Sequence, residues 1–512
     1  MRQAEARGAV AGTGTEGSGH AVVIGGGFGG MAAALRLRAR GYPVTLLERG
    51  KRLGGRAQVY TDGEFRFDAG PTVITAPYLF DELFALFGKS RRDYVEFLEV
   101  APWYRIRFYD GTHLDYGPTQ EATEESIRQL SPDDIPGYRR FLAHSQRLFE
   151  IGFEKLGPQP FHDPRTLLAT APDLVRLEGY RSVYSLTAKY MRDERLRQAF
   201  SLQPLLVGGS PRGTTCVYAL IHALEHRWGV VFAKGGTGAL VDALWRLLEE
   251  EGVRVRTQAT VERIDTVDGR ACGVTTADGT RIPAEKVVTN ADPAFVYRTM
   301  LPGVTRKRWT DRKLQRMRYA MGLFVMYFGT NRRYDELAHH TIAMGPDYVG
   351  ELKNIFRTGQ ITEIPSLYLH RPSATDPDMA PEGKDAFYVL AAVPNLQAGI
   401  DWDTAGPALR ETILQRLEST LMPDIRQHLA TDFHITPQNF QHAYLAEHGS
   451  AFTIQPTFTQ SAWFRFHNRS EEVRGLYFVG AGTHPGAGVP GVITSAKVLE
   501  NVLDAEGDAV AA

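Results

Sequence analysis

The sequence predicts an α/β fold built on a parallel sheet, and the two ends of the chain carry this prediction. An apolar run at 21–24, a glycine cluster at 25–30 and a helical pattern up to Gly41 are followed by a second apolar run at 44–47. This order of strand, glycine turn, helix and strand is a βαβ unit, whose strands lie parallel. A strand, a glycine turn and a helix return at 476–503. We therefore expect both ends to contribute to one α/β layer.

Composition excludes several classes of protein. The 512 residues are 43% hydrophobic and 23% charged, which is typical of a folded globular chain. The net charge of −1 provides no overall positive electrostatic field that would attract nucleic acid. Cys216 and Cys272 form no CxxC pair, so neither a disulfide framework nor a cysteine zinc site is indicated, and a reducing cytoplasm is expected. No run reaches the roughly 18 apolar residues that a spanning helix needs.

At about 150 residues per domain, the length predicts two to four domains. Helical patterns dominate from Pro132 to about Gln203, which indicates an inserted domain, and the pattern then returns to α/β units. The predicted units are a mobile tail (1–19), a first part of the nucleotide-binding domain with the start of the substrate domain (20–130), a helical inserted domain facing membrane or substrate (131–228), a second nucleotide-binding part (229–296), a substrate-binding domain (297–470) and a third nucleotide-binding part (471–505).

Gly25, Gly27 and Gly30 form a G-x-G-x-x-G motif between the first strand and its helix. In such a turn the first glycine makes the bend, the second lets the backbone approach a diphosphate, and the third lets the helix pack on the strand. The helix N-terminus then presents free N–H groups to the phosphates. Glu48 ends the second strand, where a carboxylate accepts hydrogen bonds from both ribose hydroxyls. The motif predicts a dinucleotide without a 2′-phosphate.

Gly54-Gly55-Arg56 follows the second strand and extends this signal. Here Gly55 lies in a flexible turn, and the Arg56 guanidinium is expected to reach the diphosphate. The segment 25–56 as a whole resembles the FAD signature of the glutathione-reductase-like flavoproteins, in the branch that contains amine oxidases and carotene desaturases.

A closer resemblance, to bacterial-type phytoene desaturases, runs from Ala21 to about Leu503. The segments that carry it are FDAGPTVIT (67–75), LLVGG (205–209), GGTGAL (235–240) and VGAGTHPGAGVPG (479–491). The resemblance implies a glutathione-reductase-like, FAD-binding Rossmann fold with a mixed-sheet substrate domain and an inserted helical domain.

The resemblance also implies further FAD contacts. The backbone of Val261 is expected to meet the adenine. The C-terminal turn and the start of the last helix are expected to meet the rest of the cofactor, and the N-terminus of that helix would stabilise the negative charge of reduced flavin. The residues concerned are Gly480, Gly482, Thr483, Gly491 and Val492.

The function that the resemblance implies is the desaturation of phytoene and partly desaturated carotenes to neurosporene, lycopene or beyond, in carotenoid biosynthesis. Oxygen or a quinone would accept the electrons. The protein would be cytoplasmic and peripherally bound to membrane lipid, because its substrate lives in the bilayer. The alternatives are an amine or protoporphyrinogen oxidase of the same fold, or a prenyl-lipid carrier that holds no flavin.

Other polar motifs receive weaker interpretations. Residues 222–226 read H-x-x-E-H, an inverted zincin pattern, but the spacing indicates no further ligand, so no metal site is predicted at this motif. No metal site is predicted at His339-His340 or at His484 either. No catalytic residue is assigned, because a proton acceptor is defined by its pKa and its position beside the substrate.

Two surfaces complete the prediction. Residues 306–318 are rich in Lys and Arg around Trp309, which fits either an anionic lipid surface or a solvated helix face. A C40 hydrocarbon needs an apolar channel, and its candidate lining, which ordinary core packing would explain equally, is Leu205, Leu206, Val207, Phe232 and Phe452.

Overall fold

The computed structural model describes residues 19–511. Apart from Gly19, the predicted mobile tail lies outside the described residues. The strands are β1 (Ala21–Ile24), β2 (Val44–Leu47), β3 (Val59–Asp62), β4 (Phe65–Asp68), β5 (Phe97–Glu99), β6 (Tyr104–Arg107), β7 (His113–Tyr116), β8 (Val231–Ala233), β9 (Arg254–Arg256), β10 (Val261–Val267), β11 (Arg270–Thr276), β12 (Arg281–Pro283), β13 (Lys286–Thr289), β14 (Gly322–Thr330), β15 (His340–Ala343), β16 (Leu367–His370), β17 (Asp385–Val393), β18 (Leu429–Ile435) and β19 (Leu476–Phe478).

Helices connect these strands, together with short 3-10 and π-helical turns. They are α1 (Phe28–Ala39), α2 (Tyr78–Ala85), α3 (Gln120–Leu130), α4 (Ile135–Phe149), α5 (Pro164–Arg176), α6 (Val183–Tyr190), α7 (Glu194–Ala199), α8 (Leu220–Trp228), α9 (Gly236–Glu250), α10 (Pro293–Phe295), α11 (Asp311–Arg316), α12 (Tyr348–Lys353), α13 (Trp402–Thr420), α14 (Ile425–His428), α15 (Pro437–Tyr444) and α16 (Val489–Ala511).

A five-stranded parallel sheet has the order β19-β13-β1-β2-β9. The strands β1 and β2 are fully buried and almost entirely apolar, as expected for a parallel sheet covered on both faces. The first and last helices, α1 and α16, pack against each other beside this sheet. Both ends of the chain thus enter one layer, and the predicted α/β fold is confirmed.

A second, mixed sheet has the order β18-β14-β17-β16-β15-β6-β7. It carries long buried strands such as β14, which is buried at all nine residues. Between β7 and β8 the chain is helical, and α4 to α8 lie inside the predicted inserted domain, 131–228. The boundaries of that domain stay a prediction. Within 19–511, no helix has both the length and the apolar character needed to cross a bilayer.

Asp68 joins two of the sequence blocks that carry the resemblance. Its carboxylate accepts hydrogen bonds from the backbone N–H groups of Thr237 (2.9 Å) and Gly238 (3.3 Å), in the first turn of α9. A carboxylate there complements the free N–H groups and the positive end of the helix dipole. Burial nevertheless raises the pKa of Asp68 to about 6. The segments 67–75 and 235–240 therefore form one structural unit.

The packing of α1 on β1 depends on Gly30. A Cβ atom at this position would lie 1.9 Å from the carbonyl oxygen of Gly25, whose own φ of 93° favours glycine. We expect Gly30→Ala to lower the free energy of unfolding by about 1–3 kcal/mol or more, as overpacking does, and to weaken binding of FAD, the cofactor that the resemblance implies. Urea unfolding and flavin absorbance test this.

Gly507→Ala, in α16, is the matched control, because nothing lies within 4 Å of its Cβ position and alanine favours helix. Its stability should be unchanged or slightly raised. A Gly30→Ala protein that keeps wild-type stability and flavin would contradict the role of Gly30.

Candidate cofactor and substrate site

The first and last glycine turns lie side by side. A Cβ atom on Gly29 would approach the Cα atom of Gly480 to 3.0 Å, so the two backbones pack with little space between them. The side chain of Asn290, which follows β13, fills the remaining gap: Cβ atoms on Gly27 and Gly480 would lie 2.8 and 2.2 Å from its amide atoms. Sequence analysis missed Asn290, although its place directly after a buried apolar strand was visible.

A single cavity of about 590 Å³ runs from these turns into the mixed-sheet region. The predicted site residues that line it are Gly25, Gly27, Glu48, Gly55, Arg56, Val261, Gly482, Gly491 and Val492. Gly30, Gly480 and Thr483 are not among the lining residues. The N–H of Gly480 donates to Ser495 Oγ (2.8 Å), and the hydroxyl of Thr483 donates to the carbonyl of Phe466 (2.7 Å). Direct contact of these three residues with a cofactor stays a prediction.

Glu48 is held rigidly at the end of β2. Its Oε2 accepts a hydrogen bond from Gly26 N (2.8 Å) and its Oε1 accepts one from Gly50 N (2.7 Å). Each carboxylate oxygen has a second lone pair, which leaves an acceptor for a ribose hydroxyl. The two backbone bonds fix the carboxylate at the cavity wall, and this arrangement fits the predicted ribose contact.

Arg56 is a half-buried cation at the cavity wall. Its buried Nε has no hydrogen-bond partner among the described residues, and its guanidinium lies 5.6 Å from the ring centroid of Tyr444. Burial lowers the pKa of Arg56, and the nearby carboxylate of Asp292 opposes this effect only partly. An unpaired cation beside glycine backbone fits an anionic diphosphate.

The N-terminus of α16 also faces the cavity. The helix begins at Val489, and Gly491 and Val492 in its first turn belong to the lining. Free N–H groups and the helix dipole stabilise negative charge at such an end. The cavity therefore has several features suited to an anionic dinucleotide: the α1 turn, Arg56 and the start of α16.

Beyond the glycine turns the cavity wall is largely apolar. Leu205, Leu206, Val207 and Phe452 line it, as predicted. Phe232, the fifth candidate, is not among the lining residues, so for it the alternative of ordinary core packing holds. Its ring is buried, with its centroid 4.8 Å from that of His339. An alternating apolar pattern identifies buried residues but cannot separate a cavity wall from the core behind it.

Glu225 is a buried carboxyl group in this wall. One oxygen accepts a hydrogen bond from the Tyr104 hydroxyl (2.9 Å), and the other has no hydrogen-bond partner within the described chain. Burial raises the pKa of Glu225 to about 8, so the group is mostly neutral at pH 7. Sequence analysis noted Glu225 only as part of H-x-x-E-H and did not predict its place in the cavity.

The two histidines of H-x-x-E-H hydrogen-bond to different tyrosines. His222 Nδ1 lies 2.9 Å from Tyr116 OH, and His226 Nε2 lies 3.1 Å from Tyr138 OH. Burial lowers the pKa of His222 to about 3 and that of His226 to about 4. His484, at the cavity wall, is buried beside the carbonyl groups of Leu156 and Gly157. These contacts hold neutral imidazoles in the protein interior.

The position of Arg56 predicts opposite effects on the apoprotein and on cofactor binding. Arg56→Met should weaken binding of FAD, the cofactor that the resemblance implies, by about 10- to 100-fold, the value of one or two charge-assisted hydrogen bonds. The melting temperature of the apoprotein should not fall, because the buried Nε loses no partner. Fluorescence titration and thermal unfolding measure the two effects.

Arg52→Met is the matched control for Arg56→Met. Arg52 is exposed and pairs with Asp242 at the surface, so its loss should leave FAD affinity within about twofold of wild type, because surface ion pairs contribute little. Equal FAD affinity in the Arg56→Met and Arg52→Met proteins would contradict the assigned position of the diphosphate.

Comparison with known proteins identifies the family. The model of the family "Flavin containing amine oxidoreductase" matches residues 28–498. A lycopene-forming phytoene desaturase of Pantoea ananas is 48% identical over 482 residues, which cover 94% of this chain and 98% of that protein. A neurosporene-forming phytoene desaturase of Rhodobacter capsulatus is 42% identical over 496 residues, which cover 96% of this chain and 94% of that protein.

Solved structures agree on the fold. An oxidoreductase of Methanosarcina mazei superposes with a TM-score of 0.63 at 16% identity, covering 94% of this chain and all of that chain. Cyclohexylamine oxidase of Brevibacterium oxydans gives a TM-score of 0.60 at 17% identity, covering 96% and 100%. The predicted fold class, family resemblance and FAD cofactor are thereby confirmed. The chain belongs to the flavin-containing amine oxidoreductases and, among them, to the bacterial-type phytoene desaturases.

Proposed function

We propose that this protein desaturates phytoene in successive FAD-dependent steps, towards neurosporene or lycopene, in carotenoid biosynthesis. The observation that carries the proposal is full-length similarity to relatives named for these two products. The cavity supports it, because one continuous space joins the nucleotide cradle to an apolar wall.

The wall suits a hydrocarbon without polar handles. Ile342, Leu352 and Ile355 also belong to it. Three hydroxyl groups of the wall bond one another: Thr72 Oγ1 lies 2.6 Å from the hydroxyl of Tyr388 and 3.4 Å from that of Tyr368. These hydroxyl groups need no partner on the ligand, so binding along this part of the wall would depend on shape and apolar contact.

FAD, when bound, supplies the two-electron acceptor that desaturation needs, because no side chain stores two electrons. The chain's own part would be to place it: Arg56 would hold the diphosphate, Glu48 the ribose, and the N-terminus of α16 would stabilise negative charge near the flavin ring. The apolar wall would keep water from the reacting carbons. Oxygen or a quinone would then take the electrons.

Helix α5 is the proposed contact with the membrane. Leu168 and Val175 expose 73% and 66% of their surface, while Leu174 of the same helix lines the cavity. Phe458 both lines the cavity and is 47% exposed. Large exposed apolar side chains around a cavity mouth are a feature of lipid-facing surfaces. A bilayer substrate would enter here.

Positive charge lies close to the same mouth. The turn Ala462–Phe464 packs against α5, and Arg308 Nη2 donates to the carbonyl of Trp463 (3.0 Å). Arg312 and Arg316, in α11, are exposed. Trp309 is fully buried, however, so it cannot serve as an interfacial anchor. The basic segment would contribute through its exposed cations, at about 1 kcal/mol each near an anionic surface.

Product analysis tests the function. FAD-loaded protein given phytoene in lipid vesicles, with oxygen or a quinone present, should form coloured carotenes, and protein stripped of FAD should do so only after FAD is restored. Chromatography identifies the end product as neurosporene or lycopene. Unchanged phytoene with flavin-loaded protein under both acceptors, or turnover of amines instead, would overturn the proposal.

Vesicle binding tests the membrane contact. Leu168→Glu with Val175→Glu should reduce co-sedimentation with anionic vesicles about tenfold or more, because two apolar side chains lose a burial worth roughly 1.5–3 kcal/mol each. Flavin content should stay the same. Val267→Glu is the matched control, because Val267 is 58% exposed at the end of β10. Equal binding by both proteins would rule out α5 as the contact.

A further inference from the structure

Three buried histidines meet where β15 and β16 run side by side. His340 begins β15 and pairs in register with His370, which ends β16, and His339 directly precedes β15. All three side chains are buried. We call His339, His340 and His370 the histidine cluster. It is separate from the glycine cradle, and the proposed function does not use it.

The nitrogen atoms of the histidine cluster converge. One ligand atom from each residue lies within 4.8 Å of the other two, and His339 Nε2 is 3.1 Å from His370 Nε2. His340 Nε2 is buried and has no hydrogen-bond partner among residues 19–511. A buried polar atom without a partner is costly, and a ligand bound between the three rings would satisfy it.

Hydrogen bonds from outside the cluster orient two of the rings. His339 Nδ1 lies 2.7 Å from Thr375 Oγ1, and His340 Nδ1 lies 2.7 Å from the hydroxyl of Tyr368. When each Nδ1–H donates to its oxygen, the lone pair of each Nε2 points into the cluster. Metal-binding histidines are held in the same way, by a second hydrogen bond that fixes tautomer and ring orientation.

The electrostatic surroundings permit a cation. The guanidinium of Arg371, the residue after His370, is balanced by ion pairs with Asp385 (3.0 Å) and Asp335 (2.6 Å). Imidazole nitrogens suit zinc, copper, iron and nickel, whereas magnesium and calcium prefer oxygen ligands.

We propose that His339, His340 and His370 bind one divalent transition metal, with Zn²⁺ as the best match and water as the fourth ligand. This inference goes beyond the proposed function. It also differs from the sequence-based prediction, which placed no metal site at His339-His340. The metal would tie the ends of β15 and β16 together. Through His340 it would also fix Tyr368, whose hydroxyl is 3.4 Å from Thr72 in the cavity wall.

Metal content tests the proposal directly. FAD-loaded protein without a polyhistidine tag, incubated with Zn²⁺ and then desalted through dilute chelator, should retain about one zinc per chain by elemental analysis. Protein loaded with Co²⁺ should show the visible ligand-field absorption of a four-coordinate site. A folded, flavin-loaded protein with less than about a tenth of a zinc per chain, and no cobalt spectrum, would overturn the proposal whether or not the protein acts on phytoene.

Variants assign the site to these residues. His340→Gln and His370→Gln should each lose bound zinc, while His222→Gln, a change at a buried histidine outside the cluster, should keep it. Thr375→Val should weaken zinc binding about 10- to 100-fold, as the loss of an outer hydrogen bond does. Retention of zinc by His340→Gln and His370→Gln would place the metal elsewhere and overturn the assignment. If neither variant folds, the zinc content and cobalt spectrum of the wild-type protein still decide.

Discussion

The close packing of two glycine turns is the constraint on which the site depends. The backbone at Gly29 approaches the backbone at Gly480 so closely that side chains on either turn would collide with the other turn or with Asn290. The strands that hold these turns, β1 and β19, both flank β13 in the parallel sheet. The nucleotide cradle therefore exists only when the first and last segments of the chain have come together, and the intervening domains must be compatible with that closure.

Charge is distributed unevenly along the cavity. The end beside the glycine turns holds Glu48, Arg56 and the positive end of α16, which together suit a dinucleotide. Farther along, burial raises the pKa of Glu225 to about 8, so this carboxyl group of the wall is mostly neutral at pH 7. A neutral wall can accept a hydrocarbon without leaving a charge unsolvated. One cavity can thus hold two ligands of opposite polarity.

The wall of the cavity is also a boundary between two surroundings. Helix α5 presents Leu174 to the cavity and Leu168 to the outside, so a single helix separates the apolar interior from the proposed lipid surface. Elsewhere in the wall, Tyr368 connects the cavity to the histidine cluster within the mixed sheet. The proposed entry thus lies at a helix with exposed apolar residues, whereas Tyr368 belongs to paired strands with buried polar groups.

The sequence by itself determined the features that depend on local conformation and on small side chains. Gly25 and Gly30 were identifiable because a left-handed bend and a tight contact between helix and strand admit only glycine, and Glu48 because it ends a recognisable strand. The tertiary structure alone decided which distant residues meet. Asn290 lies between two turns far apart in the sequence, Glu225 reaches the cavity from α8, and Phe232 packs in the core rather than in the cavity wall. The physical reason is that periodicity records whether a residue is buried, whereas its neighbours are set by how sheets and helices pack across the whole chain.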